Sequence, residues 1–429
     1  MRSKNSSAAM TAFIIVVTAL FASGTHASAQ LPTVLHEFVD NGTDGYYSRS
    51  GLIFDASGNL YGTTTEGGTH TNCGGENIGC GTVFELSPAV GGGWTETILH
   101  DFDFNGTDGT NPYSALIFDD AGNLYGTTAG GGTGTCNSGE NSCGIVFELM
   151  PNAGGGWTEK ILHNFGSTGA DGAAPVGGLI FDAAGNLYGT TSQGGVNNVG
   201  IVFELQPEAG GHWFEKVLHT FKNHDGELPL GNLIFDASGN LYGTTTAGGA
   251  HGGGTVFELS PASGGEWMER ILHSFVGLNG SGIAGGVIFD HAGNLYGTTV
   301  AGGPNHRGTV FELTPSASGP WTETILHSFE QNGTDAYEPY AGLIFDGQGN
   351  LYGTSFYGGA AECPFKEGCG TVFKLTPSSG GNWAETLYDF DCTNGSQPVS
   401  SLTLDAKGNL YGTTQSCGTN YGTVFELTP

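Results

Sequence analysis

One phrase of residues recurs seven times along this 429-residue chain. It runs L-I-F-D-x-x-G-N-L-Y-G-T-T, a Gly-rich gap, G-T-V-F-E-L, then W-x-E-x-I-L-H-x-F. Its G-N-L-Y-G core begins at Gly58, Gly122, Gly185, Gly239, Gly293, Gly349 and Gly408, every 54 to 64 residues. Each copy holds four short runs rich in Ile, Val, Phe, Tyr and Thr, bounded by Gly, Asn, Asp, Ser and Pro, which read as strands. In the first copy these are 51–55 (A), 59–64 (B), 81–86 (C) and 94–102 (D). Four strands per copy at this period predict one propeller blade per copy, and hence an all-β, seven-bladed β-propeller. Length alone would allow two domains, but the repeat argues for one closed body.

Counting the pieces shows how the ring closes. Only six Trp-led segments follow the seven units, at Trp94, Trp157, Trp213, Trp267, Trp321 and Trp383. The chain stops at Leu427-Thr428-Pro429, where a seventh should begin, yet Leu35-His36-Glu37-Phe38 matches the L-H-x-F ending with no blade before it. Residues 33–38 are therefore predicted to complete the last blade. The blades are expected at about 47–102, 113–165, 176–221, 230–275, 284–329, 340–390, and 400–429 plus 33–38. Such a ring leaves no unpaired edge between its ends, whereas a solenoid keeps two capped ends.

The N-terminus reads as a secretory signal peptide over 1–29. Arg2 and Lys4 precede an apolar run at 11–22, and Ala27-Ser28-Ala29 offers a cleavage site between Ala29 and Gln30. A buried N-terminal segment is the rival reading. No second hydrophobic segment follows, so the expectation is a secreted or periplasmic protein without a transmembrane span. The eight cysteines suit that compartment. Cys73 and Cys80, Cys136 and Cys143, and Cys363 and Cys369 each share one B-to-C loop, with five or six residues between them, as local disulfide clips would. Cys392, in the last D-to-A loop, and Cys417, in the last B-to-C loop, should pair on the closing blade, because those loops leave one side of the disk. Zinc is the rival reading, but no pair has C-x-x-C spacing.

Charge excludes some partners. Eleven Lys and Arg stand against 41 Asp and Glu, for a net charge of −30. This opposes binding to nucleic acid or anionic membranes, and suits cationic ligands, divalent ions or plain solubility.

Several residue types invite chemical readings. His36, His100, His163, His219, His273 and His327 recur in the L-H-x-F strand, and Tyr388 takes the seventh place. One per blade on the outer strand, they cannot converge on one metal or substrate and read as structural. The recurring Glu85, Glu148, Glu204, Glu258, Glu312 and Glu426 face strand D, where Lys160, Lys216 and Arg270 offer cross-strand partners. His224, His251 and His306 fall outside the repeat, in loops predicted to share one face of neighbouring blades. They are candidates for a metal or acid–base site. The D-to-A loops, such as Asn41-Gly-Thr-Asp44 and Asn105-Gly-Thr-Asp108, carry oxygens that could hold calcium, though tight turns use the same residues. The chain has no G-x-S-x-G elbow, no H-E-x-x-H and no phosphate loop with its Lys.

The repeated G-N-L-Y-G-T-T and G-T-V-F-E-L resemble the choice-of-anchor tandem repeats called GloVer (Gloeo/Verruco repeat) over residues 35–429. The resemblance implies an exported bacterial repeat protein and implies no activity. Members often carry C-terminal anchors, and none is visible after Pro429. A looser likeness to NHL-type propellers and propeller lyases rests on D-x-x-G-N-L-Y, a hairpin signature that brings no catalytic residues with it. The expected function is an exported binding or scaffold protein using the face of the D-to-A and B-to-C loops, with a protein, glycan or small molecule as ligand. The alternatives are a propeller lyase or hydrolase with acids and histidines at the channel mouth, or a structural envelope module.

Overall fold

The computed structural model describes residues 31–73, 78–136, 143–166, 168–316, 319–360, 363–417 and 421–429. The expected signal peptide and its cleavage site at Ala29 and Gln30 lie outside these. Seven antiparallel four-stranded sheets form the ring. In blade 1, strand A is Ile53–Phe54, B is Leu60–Thr64, C is Thr82–Pro88 and D is Trp94–Asp101, paired in that order. Strand A is shorter than its apolar run suggests. Strand C runs through Pro88, and the turn that follows closes with the Ala89 N–H donating to the Gly93 carbonyl at 2.9 Å.

The ring closes as the residue count requires. Blade 7 has the order Thr33–Glu37, Thr423–Leu427, Leu410–Thr414, Thr403–Leu404. Val34 lies opposite Phe425, and His36 opposite Val424.

Local chemistry shapes each hairpin. In the A-to-B turn of blade 4, Asp236 Oδ1 accepts from the Ser238 and Asn240 N–H groups at 2.8 and 2.9 Å. Gly239 then takes φ +84°, a conformation that costs other residues a Cβ clash. The middle of strand B needs glycine for another reason. A Cβ on Gly243 would fall 2.6 Å from Phe257 Cζ and 2.7 Å from Leu233 Cδ2.

Neighbouring blades meet through rings and threonines. The D-strand Phe packs edge-on against the next blade's V-F-E-L Phe, as with Phe102 on Phe147 at 5.3 Å and Phe38 on Phe84 at 5.4 Å. The G-N-L-Y tyrosine meets the next blade's strand A, as with Tyr61 on Phe118 at 5.1 Å and Tyr411 on Phe54 at 5.0 Å. The first Thr of L-Y-G-T-T donates to a carbonyl entering the next blade. Thr244 reaches Gly285 at 2.9 Å, and Thr413 reaches Ser50 across the join at 3.1 Å.

Strand D does not alternate strictly. Strict alternation along strand D would put Glu96, Ile98 and His100 on one side. A β-bulge intervenes: Ile98 lies opposite Phe84 and His100 opposite Val83, with Leu99 as the extra residue. Val83 and Phe84 point to opposite faces, so His100 turns away from Glu96. The D strands of blades 1 to 5 thus each offer a Glu to the blade before and a His to the blade after.

Candidate functional site

The loops entering strand A converge on the axis. Each D-to-A loop pairs with the B-to-C loop of the blade it enters, as ribbons such as Gly45–Tyr46 with Glu66–Gly67, or as single bridges such as Glu227 with Ala247. Both loop families therefore lie on one side of the disk. Just past these ribbons, one residue per blade rings the channel: Arg49, Tyr113, Val176, Leu230, Ala284, Tyr340 and Val399. With Phe356 and Gln415 they line a cavity of about 460 Å³. Next to it the segments leading into strand A carry small residues, such as Gly51, Ala115, Gly231 and Gly285. A Cβ on Gly231 would fall 2.7 Å from the Gly285 carbonyl.

The lining is mostly apolar and aromatic. Arg49 stacks its guanidinium 5.4 Å from the centre of the Tyr113 ring, and Tyr340 meets Phe356 edge-on at 5.5 Å. Burial raises the Tyr340 phenol above its ordinary pKa, with Glu338 adding to the effect and Arg49 opposing it. Among the described residues, neither a carboxylate nor an imidazole lines the cavity. Such a mouth can stack a ring or a sugar face and pair one acceptor group with Arg49.

The model for the Gloeobacter/Verrucomicrobia repeat matches residues 133–363 and again 270–429. The chain belongs to the Gloeobacter/Verrucomicrobia repeat family. No curated protein matches it.

In this Gloeobacter/Verrucomicrobia repeat protein all four disulfides pair as the loop positions imply: Cys73–Cys80, Cys136–Cys143, Cys363–Cys369 and Cys392–Cys417. Among the described residues no helix is long and apolar enough to cross a membrane. The recurring Glu side chains meet their expected cations: Lys160 with Glu148 at 3.4 Å, Lys216 with Glu204 at 3.8 Å, and Arg270 with Glu258 at 3.5 Å. His224, His251 and His306 are exposed in their loops, and no three-residue metal-capable cluster among the described residues includes them. In the Asn-Gly-Thr-Asp loops, Asn41 Oδ1 is occupied by the Thr43 and Asp44 N–H groups at 2.9 and 2.8 Å, while Asp44 turns toward His36.

The D-strand histidines are the residues whose surroundings repeat arithmetic missed. They lie no more than one to a seam, far from each other. Five of the six nevertheless meet acids from two directions. His100 Nε2 lies 3.4 Å from Asp108 in its own following loop and 3.7 Å from Glu159 on the next blade. Burial pushes Glu159 up to about 7, with His100 opposing the rise and Asp108 adding to it. The signal was present in the repeat itself: where Tyr388 replaces His, Asn394 replaces the loop Asp, and Pro32 stands at the Glu position.

Proposed function

We propose that this repeat protein is an exported binding protein whose ligand seats on the channel mouth, on the side of the D-to-A and B-to-C loops. The observation that carries this reading is the cavity built from one residue of each blade, with three aromatic rings and a single guanidinium. The ligand chemistry that fits is a small molecule or glycan end with one ring face to stack and one anionic or carbonyl group for Arg49. Four disulfides support an oxidising compartment. The enzyme alternative needs an acid–base pair at this mouth, and the lining residues support it less well than they support binding.

The test is a thermal-shift screen of the mature protein against neutral glycans, acidic glycans and small aromatic acids. A hit is then titrated against Arg49→Ala and Tyr340→Ala. Each variant should weaken binding about tenfold, or about 1.4 kcal/mol. A ligand whose affinity neither variant changes would overturn the placement.

A further inference from the structure

The outer seams between blades hold facing side chains that the channel mouth does not use. Between blades 5 and 6, His327 Nε2 stands 3.6 Å from Asp335 Oδ1 and 3.3 Å from Glu385 Oε1. All three atoms are buried, and none makes a hydrogen bond. Asp335 is only 8% exposed, and its other oxygen accepts the Glu330 N–H at 2.8 Å, which orients it. The same set recurs in four more seams: His36, Asp44, Glu96; His100, Asp108, Glu159; His163, Asp171, Glu215; His219, Asp225, Glu269.

The spacing is informative. Across the five sets, Nε2 lies 3.3 to 3.9 Å from the facing carboxylate oxygens. A direct N–H···O bond would bring them to about 2.7–3.2 Å. Two ligands sharing a tetrahedral ion at about 2.1 Å sit about 3.4 Å apart. Charge is compatible with an ion, since two carboxylates and a neutral imidazole balance one dication.

The ring contains its own controls. In the seam between blades 4 and 5 the loop residue is Asn279, whose amide reaches His273 Nε2 at 3.1 Å and also bonds Glu323. A neutral donor closes that seam directly. In the seam between blades 6 and 7 the His, Asp and Glu positions hold Tyr388, Asn394 and Pro32, and all three ligand types are lost together. There the Cys392–Cys417 disulfide ties the loop to the next blade instead.

We propose that each of the five complete His–Asp–Glu sets binds a divalent first-row cation of the zinc type, which staples one blade's outer strand and loop to the next blade. One imidazole and two carboxylates suit zinc better than calcium, which takes six to eight oxygens. Water completes the fourth position.

The experiment uses the mature protein, stripped with chelator and then dialysed against micromolar zinc. Bound metal is counted by mass spectrometry, and melting is followed with and without zinc. The expected count is about five zinc ions per chain, with a higher melting temperature in the loaded form. Asp335→Asn and Glu385→Gln should each lower the count by one. The fold already accepts Asn at the Asp335 position, as Asn279 shows. Cobalt loading should give the visible absorption of a tetrahedral site, and excess calcium should not displace zinc. Fewer than one zinc per chain, or a count that neither variant changes, would overturn the assignment and leave plain imidazole–carboxylate contacts in the seams.

Discussion

Val34 lies opposite Phe425 in one antiparallel ladder, so the start and the end of the described chain share a blade. Phe38, just beyond that strand, packs against Phe84 of blade 1 and is fully buried. The closing strand therefore touches both sides of the join. Deleting residues 31–38 should lower the melting temperature far more than trimming an ordinary terminus, and Phe38→Ala alone should cost about 3–5 kcal/mol. Calorimetry of the truncated and parent proteins checks this. Near-identical melting would count against closure by this strand.

Glycines at different repeat positions should respond differently to the same change. Gly243→Ala drives a Cβ into Phe257 and Leu233 and should destabilise by about 1–3 kcal/mol. Gly347 has open space at its Cβ. Gly347→Ala should be neutral or stabilise by up to about 1 kcal/mol. Urea midpoints of the two variants decide the matter.

The A-to-B turn makes stability depend on pH. Burial acts to raise the Asp236 carboxyl, but hydrogen bonds from Asn240 and Ser238 outweigh it and hold the group below its ordinary range. A depressed carboxylate stabilises the fold above its unfolded pKa of about 4, and that contribution is lost as pH falls through the folded value. Asp236→Asn should cost about 1–2 kcal/mol near pH 7, with the gap to the parent shrinking on acidification below about pH 4. Paired urea melts across pH read this out. A gap that stays constant would exclude the charge as its source.

The disulfides should rank by the loops they close. Cys392 and Cys417 are 25 positions apart, whereas Cys363 and Cys369 are 6 apart. Chain entropy gives about 3.5 kcal/mol for the longer loop and about 2.4 kcal/mol for the shorter. Replacing both cysteines of each pair with Ser, and comparing unfolding of the two proteins, should reproduce that order. Equal losses would mean that local packing, not loop closure, dominates.

Much of this was legible in the residues because the repeat is made of local signals. Asp236, Gly239 and Asn240 specify a turn by their own chemistry, and L-Y-G-T-T specifies the strand that follows. Seven such hairpins, together with an orphan L-H-x-F at His36, imply a closed ring. The seam sets were not read out, although every member was visible. His36, Asp44 and Glu96 are distant in the chain, and they meet only because two blades pack side by side. The extra Leu99 hid the relation further, since one inserted residue reverses the face that simple alternation assigns.

The chain by itself determined the number of blades, the pairing of its ends and the partners of its cysteines, because turns, strand period and loop position act over short stretches. The tertiary structure alone decided which side chains face one another across the seams and which seven residues ring the axis. Those contacts depend on how the bulged strands turn and how closely neighbouring blades approach, and no single copy of the repeat encodes a distance to the next.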